Sequence, residues 1–228
     1  MNPNMIDAVK SVLAFLAKLF ARRPVASAPV AVEAPPLVRH DGRADLGDTR
    51  PGDGKPERQG MNANRRAFLT MLAVSEGTST SPATKNNGFD VIVTGIDRQP
   101  ETFSDYSTHP FAGGRKSKTI NSKGLTSNAS GRYQFMLKDW LHYRAQLNLG
   151  NKSLYPLGAF SPAAQDAWAL QLIRERGALP LIDLGQFDLA VKRVRNLWAS
   201  LPGAGYDQHE NSLEKLQKAY RNAGGAFA

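Results

Sequence analysis

Large apolar residues recur every three or four positions along most of this chain and alternate with polar ones over only one short stretch. The first periodic run covers residues 5–23, where Ile6, Val9, Val12, Leu13, Leu16, Leu19 and Phe20 fall on one side of a helix. A second carries Phe68, Leu69 and Leu72 behind two N-cap candidates, Asn62 and Asn64, and places Glu76 near its last turn. Residues 131–147 set Tyr133, Met136, Leu137, Trp140, Leu141 and Leu147 toward a core. Ser161 and Pro162 are an N-cap and first helical residue for a helix that passes Trp168 and Leu172 and stops at Gly177. A short element lies near Leu181, residues 187–198 carry an Ala190, Val191, Val194, Leu197, Trp198 stripe, and Asn211 with Glu214 resembles a capping box opening a last helix. Phe89, Val91 and Val93 alternate, predicting a strand that ends at Gly95, turns through 96–101 and returns near 102–106. The pattern predicts an α+β domain, mostly helical, with one small antiparallel β-hairpin.

Between the first run and the second the pattern fails. Residues 24–60 are rich in Pro, Ala, Gly and charge, without an aromatic residue, which predicts a flexible, disordered linker between an amphipathic helix (1–23) and a domain at 61–228. The long polar segment from His109 to Ser130 reads as a loop, basic at Arg115, Lys116, Lys118 and Lys123. The helix of 5–23 is interrupted by Asp7, Lys10 and Lys18 and falls short of a membrane span. Its basic residues beside Phe15 and Phe20 suit the surface of an anionic membrane or lipopolysaccharide. Docking onto a protein surface is the rival reading; a secretory signal, suggested by Ala26-Ser27-Ala28, fits poorly because no positive charge precedes Lys10.

Composition narrows the chemistry. The 228 residues contain no cysteine, so neither a disulfide framework nor a thiolate nucleophile is available. The net charge is +9, and residues 61–228 alone hold 20 basic against 13 acidic side chains, which points to an anionic partner. The histidines at 40, 109, 142 and 209 lack metal-site spacing, and neither a metal nor a cofactor is expected. Basic and aromatic residues interleave at 132–144, but the aromatics keep core spacing, so nucleic acid is not the expected ligand. Glu76 is the residue with chemical promise: a carboxyl at a half-buried helix end, followed by Gly77, can have its pKa raised by desolvation and serve as a general acid. A solvated surface glutamate is the plain alternative.

Ordered blocks along the chain carry a more specific signal. Arg66-Ala-Phe-Leu69, Ser75-Glu-Gly-Thr78, Gly88-Phe-Asp-Val-Ile-Val93, Phe103-Ser-Asp-Tyr-Ser-Thr-His-Pro110, Gly131-Arg-Tyr-Gln134, Gln171 with Arg174-Glu-Arg-Gly-Ala-Leu-Pro180, and Trp198-Ala-Ser-Leu-Pro-Gly-Ala-Gly-Tyr206 together resemble the lambda-type phage endolysins, lysozyme-like lytic transglycosylases of bacterial peptidoglycan. The resemblance spans residues 62–223 and none of 1–60. It implies a lysozyme-like fold, Glu76 as catalytic acid, and Gln134, Tyr133, Tyr106, Tyr206 and Ser75 as candidate substrate contacts. It further implies a protein made in the host cytoplasm, acting as a monomer on glycan strands of the periplasmic wall during lysis. Two departures stand out: Val74 replaces an aromatic of the family's type member, and the segment 111–130 is longer.

The reaction type turns on a second carboxylate. A hydrolase of the ordinary kind uses two, flanking the scissile bond. Residues 77–89 contain no Asp or Glu, and Asp90 is the first available. One carboxyl suffices for a lytic transglycosylase, in which the sugar's own C6 hydroxyl closes a 1,6-anhydro ring. The alternatives are a muramidase using Asp90 and a wall-binding protein without catalysis.

Overall fold

The computed structural model describes residues 61–147, 160–206 and 209–228. The amphipathic helix expected at 5–23 and the linker at 24–60 lie outside the described residues. Six helices and two antiparallel hairpins make up the described part, an α+β arrangement. Among the described residues no helix is long and apolar enough to cross a membrane.

Helix α1 (Ala63–Ser75) is the organising element, with Ala67, Phe68, Leu69, Met71, Leu72 and Ala73 buried. It packs against α4 (Leu179–Asp183) and α6 (Leu213–Asn222). Its start is capped by Asn62, whose Oδ1 accepts from the Asn64 amide at 2.7 Å. The Arg65 guanidinium grips Asp183 of α4 with two bonds of 2.7 and 2.6 Å. Helix α3 (Pro162–Glu175) begins as its sequence predicts, with Ser161 Oγ accepting from the Ala164 amide, and α5 (Phe187–Val194) buries Phe187, Ala190, Val191 and Val194. Phe135 stacks on Trp168 at 3.9 Å, and Phe68 meets Phe187 and Tyr220 edge-on. Burying aromatic rings of this size, each contributing about 2–3 kcal/mol of transfer free energy, holds the helices together around α1.

Four expectations are corrected. The stretch 131–147 is not one helix: α2 covers Leu137–Gln146, while 130–135 is a tight turn closed by the Ser130 and Phe135 backbones. Gly131 (φ 77°) forces the break, and a Cβ there would overlap the Gln165 carboxamide. The predicted strands shrink to β1 (Val91–Ile92) and β2 (Glu101–Thr102), paired Val91 to Thr102 and Ile92 to Glu101. The segment read as a loop holds a second hairpin, β3 (Lys118–Thr119) with β4 (Thr126–Ser127), stitched to β2 by Glu101, which pairs with Arg115 and Lys118. Finally, the cap of α6 is Ser212, whose Oγ accepts from the Lys215 amide; Asn211 is buried and turned to another task.

Candidate active site

Helix α1 ends in a Schellman motif, in which the Gly77 amide donates to Val74 O at 3.1 Å and the Thr78 amide to Ala73 O at 3.0 Å. Gly77 adopts φ 71° with no atom near its missing Cβ, so the chain turns away from the helix and leaves Glu76 as the C-cap. This placement sets a carboxylate at the negative end of the helix dipole, which adds to the cost of ionising it.

Three distant segments close around that turn. The Thr78 hydroxyl donates to Arg132 O at 2.6 Å, tying it to the 131–134 turn. Trp198 Nε1 donates to Tyr133 O at 3.0 Å, tying the 198–206 loop to the same turn. The Ser200 hydroxyl donates to Glu76 Oε1 at 2.5 Å, and its oxygen lies 2.7 Å from Ser75 Oγ. Gln165 locks the floor: its Oε1 accepts from the Arg132 amide and its Nε2 donates to Phe89 O and Phe160 O, at 2.8, 3.0 and 2.9 Å. Three satisfied bonds from one fully buried amide fix where the 131–134 turn sits.

Burial raises the Glu76 pKa to about 7, against a smaller lowering by the Ser200 hydroxyl. A carboxyl poised there is still protonated in a good fraction of molecules at neutral pH and can both give and take a proton.

The sequence profile of the Endolysin family matches residues 66–227. The chain belongs to that family. It is 58% identical over 165 residues to the endolysin of Escherichia phage P2, covering 72% of this chain and 95% of that protein. Identity to the endolysin of Escherichia phage lambda is 49% over 166 residues, covering 72% and 94%. The structure of bacteriophage lambda lysozyme complexed with a chitohexasaccharide superposes with a TM-score of 0.64 at 47% identity, over 74% of this chain and 98% of that one. A second lambda lysozyme structure gives 0.61 at 46%, with the same coverage. The lysozyme-like fold expected from the sequence blocks is therefore the family's fold.

Within this endolysin domain the candidate contacts take different places. Gln134 stands part-exposed in the left-handed region at φ 51°, its Nε2 donating to Gly131 O at 3.1 Å; a non-glycine residue held there marks a turn shaped by its surroundings. Tyr106 is half-buried on Phe103, its hydroxyl accepting from Asn86 Nδ2 at 2.7 Å. Tyr206, also half-buried, donates to Asn196 O at 2.8 Å. Tyr133 corrects the expectation of a cleft contact: its ring is 1% exposed against Phe89 and Phe135, and its hydroxyl donates to Asp166 Oδ1 at 2.5 Å. Ser75 likewise faces protein, its hydroxyl engaged by Ser200 and Asn211.

Asp90 is placed as a structural group. Its carboxylate is buried and accepts from Thr84 Oγ1 at 2.5 Å and from the Lys85 amide at 2.8 Å, one bond on each oxygen, pinning the 84–90 loop. Ser200 and Asn211 carry no signal in the sequence that marks them as site residues. Ser200 lies inside the Trp198–Tyr206 block, whereas Asn211 carried a capping pattern that concealed its tertiary role.

Proposed function

We propose that this endolysin cleaves the MurNAc-GlcNAc β-1,4 bond of bacterial peptidoglycan as a lytic transglycosylase, with Glu76 as its one acid and base. The observation that carries the proposal is the setting of Glu76: a part-buried carboxyl at a helix C-terminus, held by the Ser200 hydroxyl, whose pKa desolvation raises to about 7. Glu76 first donates its proton to the leaving glycosidic oxygen. The resulting carboxylate then accepts the proton of the MurNAc C6 hydroxyl as that oxygen attacks the anomeric carbon, leaving a 1,6-anhydro end and a regenerated acid. No water need be activated, which agrees with the engagement of both Asp90 oxygens in the 84–90 loop. The relatives support the substrate class, one of them being a lambda lysozyme complexed with a chitohexasaccharide.

We assign to Gln134, Tyr106 and Tyr206 the hydrogen-bonding and ring surfaces that a glycan strand uses. We assign the N-terminal residues 5–23 to an anionic membrane or lipopolysaccharide surface, on the strength of their amphipathic spacing and basic flanks. The protein then acts in the periplasm of the cell that made it, as a monomer, for host lysis. Glu76→Gln is the test: turbidity loss of a purified wall suspension should fall by about three orders of magnitude or more with the fold retained. Activity near that of the unsubstituted protein would refute the role.

A further inference from the structure

Glu76 stands at the end of a hydrogen-bonded chain that begins on the surface of α6. Exposed Lys215 donates through Nζ to Asn211 Oδ1 at 2.6 Å. An ammonium has donors only, so it fixes which end of the Asn211 amide faces it and leaves Nδ2 pointing inward. Nδ2 lies 3.2 Å from Ser75 Oγ, and 3.0 and 3.2 Å from the carbonyl oxygens of Ser75 and Ser200. Ser75 Oγ and Ser200 Oγ are 2.7 Å apart, and Ser200 donates to Glu76 Oε1.

The direction of the chain is set from both ends. An ionised carboxylate only accepts, so Ser200 must spend its single proton on Glu76. Ser200 then has to accept from Ser75, and Ser75, its own proton used, accepts from Asn211. Every bond from Lys215 inward points the same way.

We propose that Lys215 and Asn211 are positioning residues that act through Ser75 and Ser200 to hold Glu76 Oε1 as a constant acceptor, so that the exchangeable proton resides on Oε2. The proposal rests on Glu76 being the catalytic acid and adds the orientation and strength of that acid. A polarised chain ending on the carboxylate favours its ionised form and so opposes the effect of burial. Other charged groups on the segments around Glu76 are His209, Glu210, Glu214 and Lys218 near α6 and Arg132 on the 131–134 turn. Glu210 is occupied by the amides of Gly203 and Gly205, with Arg195 nearby, and Arg132 lies on the Phe89 ring and the Asn87 carbonyl. Among the described residues Lys215 is the charged group bonded to Asn211.

The test uses the full chain with ¹³C-labelled glutamate, following the Glu76 carboxyl by NMR titration alongside the pH profile of wall cleavage. Lys215→Met should raise the Glu76 pKa and the basic limb of the profile by roughly half a pH unit, and Ser200→Ala by roughly one. Lys215→Arg, which still offers a donor to Asn211, should return both toward the original values. In Lys215→Met kcat at low pH should fall roughly threefold with KM unchanged, as expected for a misdirected proton rather than lost binding. A titration unmoved in Lys215→Met, whether or not Ser200→Ala shifts it, overturns the proposal. Full activity of Glu76→Gln would instead remove the acid role while leaving the titration readable, so the two failures are distinguishable.

Discussion

Glu76 and His109 are both kept from ionising by burial, and their effects on stability run in opposite directions over one pH window. Glu76 rises from an ordinary 4.5 to about 7. The folded protein therefore holds this proton more tightly than the unfolded chain, and stability declines as pH rises from about 4.5 to about 7. At about 1.4 kcal/mol for each tenfold change in proton affinity, the ionised carboxylate costs about 3 kcal/mol above pH 7. His109, fully buried among Phe111, Trp140 and Phe160 with Nε2 on Phe135 O, is lowered from 6.5 to about 4, chiefly by burial. The unfolded chain takes up that proton first, so stability from His109 is complete above pH 6.5 and is lost as pH falls toward 4. In the unsubstituted protein the two slopes largely cancel between pH 4.5 and 6.5. Glu76→Gln keeps the size of the side chain and an acceptor for Ser200 while removing one slope. Urea unfolding at intervals from pH 4 to pH 8 should show the variant more stable than the parent by about 2–3 kcal/mol at pH 8 and nearly equal at pH 4. The variant should then lose more stability on acidification than the parent does. Parallel stability curves for the two proteins would refute the assignment of a carboxylate whose ionisation costs stability.

Other expectations follow from single groups. Gln165→Leu strands the Arg132 amide and the Phe89 and Phe160 carbonyls and should cost about 3 kcal/mol or more, measured by chemical denaturation. Gly131→Ala drives a methyl into the same carboxamide at a positive φ and should lower Tm by 10 °C or so, read by calorimetry. Asp90→Asn loosens the 84–90 loop by about 1–2 kcal/mol yet should keep at least a tenth of the turnover, because its carboxylate serves the fold. Liposomes of anionic lipid should leak with the full chain and stay intact with a protein starting at Met61; equal behaviour would count against a membrane role for residues 5–23.

The sequence made the helices legible where caps and periodicity agreed. Ser161-Pro162 announced α3, and Asn62 announced α1, because a cap is a local hydrogen bond that neighbouring residues alone decide. The 130–135 turn was hidden inside an apolar period, since Tyr133 and Phe135 are buried by tertiary packing while Gly131 and Gln134 take left-handed conformations. The β3–β4 hairpin leaves no sequence signature for a different reason. It is two residues per strand, polar, and held by Glu101 on another segment. Glu76 was legible because the Ser-Glu-Gly-Thr pattern is itself the helix stop. Its surroundings were not, since Ser200, which bonds Glu76, and Asn211, which bonds Ser75 beside it, are more than a hundred residues away and arrive only through the fold.

One carboxyl acting without a water nucleophile leaves its mark on the products. Purified peptidoglycan digested in H₂¹⁸O and analysed by mass spectrometry addresses it most directly. The digest should carry 1,6-anhydro-muramic ends, one water lighter than the hydrolysed form and free of ¹⁸O. Reducing MurNAc ends carrying ¹⁸O would contradict it and establish a hydrolase.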